Sequence, residues 1–333
     1  METDTRFAFR FYANASIAEQ FPLLFYSFYV LEILFHLLFL FFSPLVISAV
    51  YSTTLLHRNF RLFFCITMIG NDIAIFSRFV LLYYQYMGTP IYDSDVILIA
   101  SQLYRESYFV LCTLIVFAGC ADRLVATIYW EWYESASDAT LLVLGFIYFL
   151  IYMPSIAISL GCLYRVIGPL QFILLTGCTQ TVSILMLLYT RYLNESTLKS
   201  LRRWTSSQYC LTKAFQIQAN IRILNIMQAM TISTVFFNGV ASLFLISFQL
   251  LDSSLIQRNL VGTFLDTWCS IYGITYMMLS VRADKVFLQH ISRFKILRRW
   301  EPKEDKESAS LERQRDVEET TREYFNQLEK SWS

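Results

Sequence analysis

Seven separate stretches of this chain are each apolar for about 20 residues, the length an α-helix needs to cross roughly 30 Å of hydrocarbon. They lie near 23–49, 61–84, 98–121, 141–163, 169–190, 227–251 and 260–281. Hydrocarbon offers no hydrogen bonds to an exposed backbone, so a spanning segment must be a helix or a strand of a closed barrel. Asn-Gly and Asp-Gly hairpin pairs do not recur at regular spacing, which disfavours a barrel. Composition agrees with lipid as the solvent: 56% of residues are hydrophobic and only 16% charged, against about a quarter charged in ordinary soluble domains. The expected fold is therefore an all-α integral membrane bundle of seven transmembrane helices. The seven spans show no internal repeat of the kind transporters use.

Lysine and arginine set the orientation. On one side, 191–226 carries Arg191, Lys199, Arg202, Arg203, Lys213 and Arg222, and the stretch after 281 adds Arg282, Lys285, Arg293, Lys295, Arg298 and Arg299. The other side has Arg6, Arg10, Arg165 and Arg258, so the named cations stand twelve against four. That places the N-terminus outside and the C-terminus inside. Residues 1–22 hold Glu2, Asp4, Arg6, Arg10 and Glu19 without an apolar core, so the first span is expected to direct insertion itself. Asn14-Ala15-Ser16 is a glycosylation acceptor in this extracellular segment. Asn194-Glu195-Ser196 matches the same pattern but falls in the predicted cytosolic loop, where it stays unmodified.

Several chemistries lack their residues. No span contains the lysine a retinal Schiff base requires. His36, His57 and His290 are too far apart to converge on one metal, and no cysteine pair has zinc-ligand spacing. A Gly-rich phosphate loop and a GxSxG elbow are also missing. The sequence thus gives no catalytic residue, cofactor or metal site, and a net charge of +1 disfavours nucleic acid as a partner.

What remains are ionisable groups inside the membrane, each costing at least about 2.5–3.5 kcal/mol at mid-bilayer when unpaired. Glu32, Arg78, Arg105, Glu106 and Asp266 all fall in or near the outer halves of their spans. Two readings stand: a ligand pocket with polar anchors, or a salt-bridge network that only fixes helix packing. His36 reads as a hydrogen-bonded core residue. Deeper lie Asn71, Asp72 and Asn238, which serve either as a rearrangeable polar network or as interhelical glue. Asp122-Arg123 closes the third span, followed by the interfacial aromatics Tyr129, Trp130, Trp132 and Tyr133. There the arginine can pair with its neighbour at rest and with a partner protein when the helices open; the plainer reading is an interfacial charge pair. After the last span, Phe287, Ile291, Phe294 and Leu297 share one helical face among basic residues, which predicts an amphipathic helix on the anionic inner leaflet over 282–300. The remainder, 301–333, reads as a charged cytosolic tail.

Seven helices, an outside N-terminus, Asp122-Arg123 ending helix three and a juxtamembrane amphipathic helix together resemble a G-protein-coupled receptor. The third helix lacks a cysteine near its outer end, NPxxY is missing from helix seven, and helix six has no proline, all departures from the rhodopsin class. Two stretches resemble instead the nematode serpentine chemoreceptors of the Sra superfamily, class epsilon (Sre) above class beta. One runs from Asp122-Arg123-Leu124-Val125-Ala126-Thr127 to Tyr133-Glu134. The other is Tyr209 to Leu224, containing Phe215-Gln216 and Asn220-Ile221-Arg222. Ala214 and Ala219 stand where that family tends to have Arg and Glu, marking a divergent member. The resemblance implies a chemosensory receptor of the plasma membrane, in the cilia of sensory neurons, that takes a small-molecule ligand and couples to a heterotrimeric G protein. The rival readings are a seven-helix ligand-gated channel and a non-signalling membrane scaffold.

Overall fold

A computed structural model describes residues 21–53, 56–87, 95–129, 140–164, 166–203, 211–250 and 255–283. They form seven helices: α1 (Pro22–Ser52), α2 (Arg58–Tyr86), α3 (Val96–Ile128), α4 (Thr140–Leu163), α5 (Pro169–Arg203), α6 (Leu211–Leu250) and α7 (Leu255–Arg282). No strand occurs among the described residues. Asn14, the predicted amphipathic helix from Asp284 onward and the tail lie outside them.

Local chemistry fixes several of the helix starts. The carboxylate of Asp95 accepts from the Ile97 and Leu98 N–H groups at 3.1 Å each and caps α3. His57 Nδ1 accepts from the Asn59 N–H at 3.3 Å and caps α2. Helices α1 and α5 open on Pro22 and Pro169, whose missing N–H costs nothing at a first-turn position.

α3 is the axis of the bundle and packs against α2, α4, α5 and α6. The ring closes through α6 on α7, α7 on α1 and α1 on α2. Where α3 passes α6 the approach is close: a Cβ at Gly119 would stand 2.8 Å from the Met227 methyl. Phe39, Met68, Cys120, Met227 and Met277 meet in the largest buried apolar cluster.

The distribution of polarity is that of a lipid-solvated protein. Large side chains such as Leu23, Val30, Phe41, Phe76, Leu185 and Ile232 are exposed on the outside, while Glu32, Arg78, Arg123 and Asp266 are buried inside. α1, α2, α3, α5 and α6 are long and apolar enough to cross a membrane. α4 contributes the shorter apolar segment Tyr148–Leu163. In α7 the apolar sequence is interrupted by Asn259, Thr263, Asp266, Thr267 and Ser270, which are all buried. Their helical spacing puts them on one face, turned to the bundle interior.

One expectation needs correction. The region 191–226 is largely helical, not a loop: α5 continues to Arg203 and α6 begins at Leu211. The reason is a second periodicity beneath the charges. Thr190, Asn194 and Leu201 on α5 are buried, as are Ile217, Asn220 and Leu224 on α6, at the three- and four-residue steps of a packed helical face. Hydropathy averaged over a window misses such a face because the charged outer side cancels it. Asn194 is accordingly a fully buried α5 residue rather than a loop asparagine.

Candidate functional site

Two polar assemblies stand at opposite ends of α3. Near the rim where α1 begins, four charges alternate in sign across four helices. Arg78 of α2 donates to both oxygens of Glu32 on α1, with Nη2 at 3.0 Å from Oε2. The same Nη2 stands 2.9 Å from Asp266 Oδ2 on α7. Arg105 of α3 closes the series on Asp266 Oδ1. Glu32, Arg78 and Asp266 are each at most 3% exposed. Alternation makes the chain Glu32–Arg78–Asp266–Arg105 neutral as a whole, which is how four ionised groups persist in a low-dielectric interior. His36 Nε2 stands 3.6 Å from Glu32 Oε1 and its ring meets Phe79 edge-on. Arg105 thus meets Asp266, while the neighbouring Glu106 accepts from the Gln102 amide at 2.8 Å.

Arg105, Glu106 and Asp266 also line a cavity of about 150 Å³ enclosed by α3, α4, α5, α6 and α7. Glu32 and Arg78 do not reach it; they border a smaller void of about 40 Å³ on the other side of the charge chain. The larger cavity is walled chiefly by rings. Phe237 packs with tilted ring planes on Trp268, at 4.5 Å between centroids, and on Tyr272, at 5.0 Å. Their orientation is fixed by hydrogen bonds, from Trp268 Nε1 to the Phe237 carbonyl at 3.1 Å and between Tyr272 and Thr234 hydroxyls at 2.8 Å. On the α3 side, Phe109 lies beneath the Arg105 guanidinium at 5.5 Å. Asn238, deep in α6, donates to Thr113 on α3 at 3.1 Å and forms part of the wall. Asp72 sits elsewhere, accepting from Ser43 on α1 at 2.9 Å, so it belongs to the α1–α2 contact and not to the cavity.

At the opposite rim, Arg123 is 1% exposed despite its charge. Its Nε and Nη2 hold Asp122 Oδ2, at 3.0 and 2.5 Å. Nη1 crosses to Asn220 Oδ1 on α6 at 2.9 Å. One turn on, Thr127 Oγ1 receives Asn194 Nδ2 from α5 at 2.8 Å and Asn220 Nδ2 at 3.4 Å. The two sequence stretches that carry the family resemblance, around Arg123 and around Asn220, thus meet in one polar latch joining α3, α5 and α6. Such a contact is possible only because α5 and α6 extend past their hydropathic spans.

Sequence reasoning missed Asn194, set aside as a loop asparagine, and the cavity residues Gln102, Ser159, Phe237 and Trp268. In a chain that is 17% aromatic, nothing marks an inward ring from a lipid-facing one. For Asn194 a signal existed in the four-residue step from Thr190, which the two buried positions share.

An all-helical, polar-centred bundle with these spans is a membrane protein of the seven-helix, G-protein-coupled-receptor-like class. The family model of the Sre G protein-coupled chemoreceptors matches residues 4–333, and the chain belongs to that family. It is thus a serpentine chemoreceptor of the receptor kind, from a family of receptors rather than enzymes. A comparison with curated proteins finds no match.

Proposed function

We propose that the receptor admits a small molecule from the extracellular side into the α3–α7 cavity and answers by opening the Arg123 latch to a heterotrimeric G protein. In this reading the α1 start faces outside, the latch lies at the cytosolic rim, and the protein works in the plasma membrane of sensory cilia. The orientation rests on the excess of Lys and Arg in 191–226 and after 281.

The observation that carries the reading is the placement of both assemblies on one rigid helix. Glu106 and Arg123 are 17 residues apart on α3, about 25 Å along its axis. A ligand that packs better when α3, α6 and α7 are rearranged biases the equilibrium only by its difference in affinity for the two packings. With Arg123 held by Asp122 and Asn220, the guanidinium is unavailable to a partner. Separation of α6 from α3 would release it into the space that opens. Asp72 and its Ser43 contact would adjust at the α1–α2 seam as part of the same repacking.

The test is Arg123→Ala in a cell reporter of G-protein activation, with surface expression measured in parallel. Loss of signalling at normal surface level is the expected result. An unchanged response removes Arg123 from the mechanism, and a ligand-evoked current in cells without G protein would point to the channel reading instead.

A further inference from the structure

The charges around the cavity do not balance. Four of the five outer ionisable groups form the neutral chain Glu32–Arg78–Asp266–Arg105. The fifth, Glu106, has a neutral amide, Gln102, as its hydrogen-bond donor at 2.8 Å, and it lines the cavity. Arg105, the cation within electrostatic reach of Glu106, is already paired with Asp266, so the carboxylate stays under-compensated in a largely apolar chamber, and an entering cation would correct that imbalance. A second observation points the same way. Ser159 of α4 lines the same cavity, is 1% exposed, and its Oγ has no hydrogen-bond partner. One turn further on α4, Cys162 lies within electrostatic reach of Glu106, which puts this face of α4 across from the carboxylate. Glu106 and Ser159 therefore offer two acceptors to a group that carries several N–H donors. Opposite them, the Phe237–Trp268–Tyr272 wall suits an apolar body and the ring faces attract positive charge. A cavity of about 150 Å³ matches a benzene-sized guest.

Resting on the cavity reading above, we propose that the ligand is a small ammonium-bearing molecule: a primary or secondary amine whose cation pairs with Glu106 and bonds Ser159 Oγ. Its body, of about six to ten heavy atoms, fills the ring-walled part of the cavity. The class excludes carboxylates and phosphates, which would bring a second negative charge beside Glu106.

The full-length receptor, purified and melted in the presence of benzylamine, benzyl alcohol or toluene, tests the proposal through stabilisation by ligand. Benzylamine should raise the melting midpoint saturably, at a concentration at least about tenfold lower than benzyl alcohol requires. Glu106→Gln, nearly isosteric and itself checked by its melt, should weaken benzylamine by about tenfold or more and leave toluene within about twofold. Ala241→Phe, which fills the cavity, should abolish all three effects. Equal stabilisation by the three probes, insensitive to Glu106→Gln but blocked by Ala241→Phe, overturns the ammonium proposal and leaves the cavity as the ligand site. Stabilisation by benzylamine that survives Ala241→Phe overturns both readings, and no stabilisation by any probe overturns the proposal.

Discussion

Removing the charge of Asp266 should unbalance the four-membered chain near the rim where α1 begins. Its two oxygens serve two cations on different helices, Arg78 on α2 and Arg105 on α3. In Asp266→Asn the side chain keeps its shape and one acceptor oxygen, but the four-membered chain acquires a net charge of +1. Arg78 retains its two bonds to Glu32, so the stranded ion is Arg105. Breaking a buried ion pair by removing one partner costs about 3–5 kcal/mol, and the acceptor that asparagine retains argues for the lower end. At about 2.1 cal/mol/K of unfolding entropy per residue, a chain of 333 residues loses about 1.4 °C per kcal/mol, so the melting midpoint should fall by about 4–5 °C. The site is buried, so added salt should restore little of it. The decisive comparison is the double variant Asp266→Asn/Arg105→Met, which removes the stranded cation and leaves the neutral Glu32–Arg78 pair. It should recover at least half of the lost midpoint, a non-additivity that only direct coupling produces. A thermal melt of the purified full-length variants reads all of this. If Asp266→Asn melts with the wild type, or the double variant melts below the single one, charge balance is not what holds the helices there.

Two further outcomes concern the opposite rim. Asn220→Leu deletes the acceptor that Arg123 reaches across α3 and α6. A hydrogen bond to a charged group is worth about 1.5–3 kcal/mol, so basal reporter signal should rise about tenfold or more at equal surface expression; unchanged basal signal means the bond does not hold the resting state. His57, at the start of α2, gives a pH dependence. Burial, aided by the charges of Arg123 and Arg61 and opposed by Asp122, holds its imidazole down at about 4. The unfolded chain takes up that proton near pH 6.5. Stability from His57 is therefore complete above pH 6.5 and lost as pH falls from 6.5 towards 4. His57→Gln should flatten the melting midpoint across that window, and an unaltered pH profile would exclude His57 as the titrating group.

The outer charges were legible in the sequence because ionised side chains inside apolar spans are rare, and their similar depth followed from span boundaries alone. Their partners were not, since Arg105 and Glu106 are adjacent in sequence yet point to different neighbours, one to α7 and one into the cavity beside Gln102. Rotation of α3 by 100° between consecutive residues decides that, and only packing fixes the rotation. The Asp122–Arg123 pair was legible as a local contact. Its reach to Asn220 was hidden, because hydropathy ends the fifth and sixth spans near 190 and 227, whereas α5 and α6 run on to Arg203 and from Leu211. The cavity was hidden for another reason: it is a gap among five helices, and no window along one helix contains it.

Sidedness of the two termini bears most directly on the receptor reading. An epitope tag before Asn14 and another after Ser333, stained in intact and in permeabilised cells, would place both. The receptor reading expects the N-terminal tag to stain intact cells and the C-terminal tag only after permeabilisation. The reverse pattern would put the cavity on the cytosolic side and the Arg123 latch outside, where no G protein could meet it.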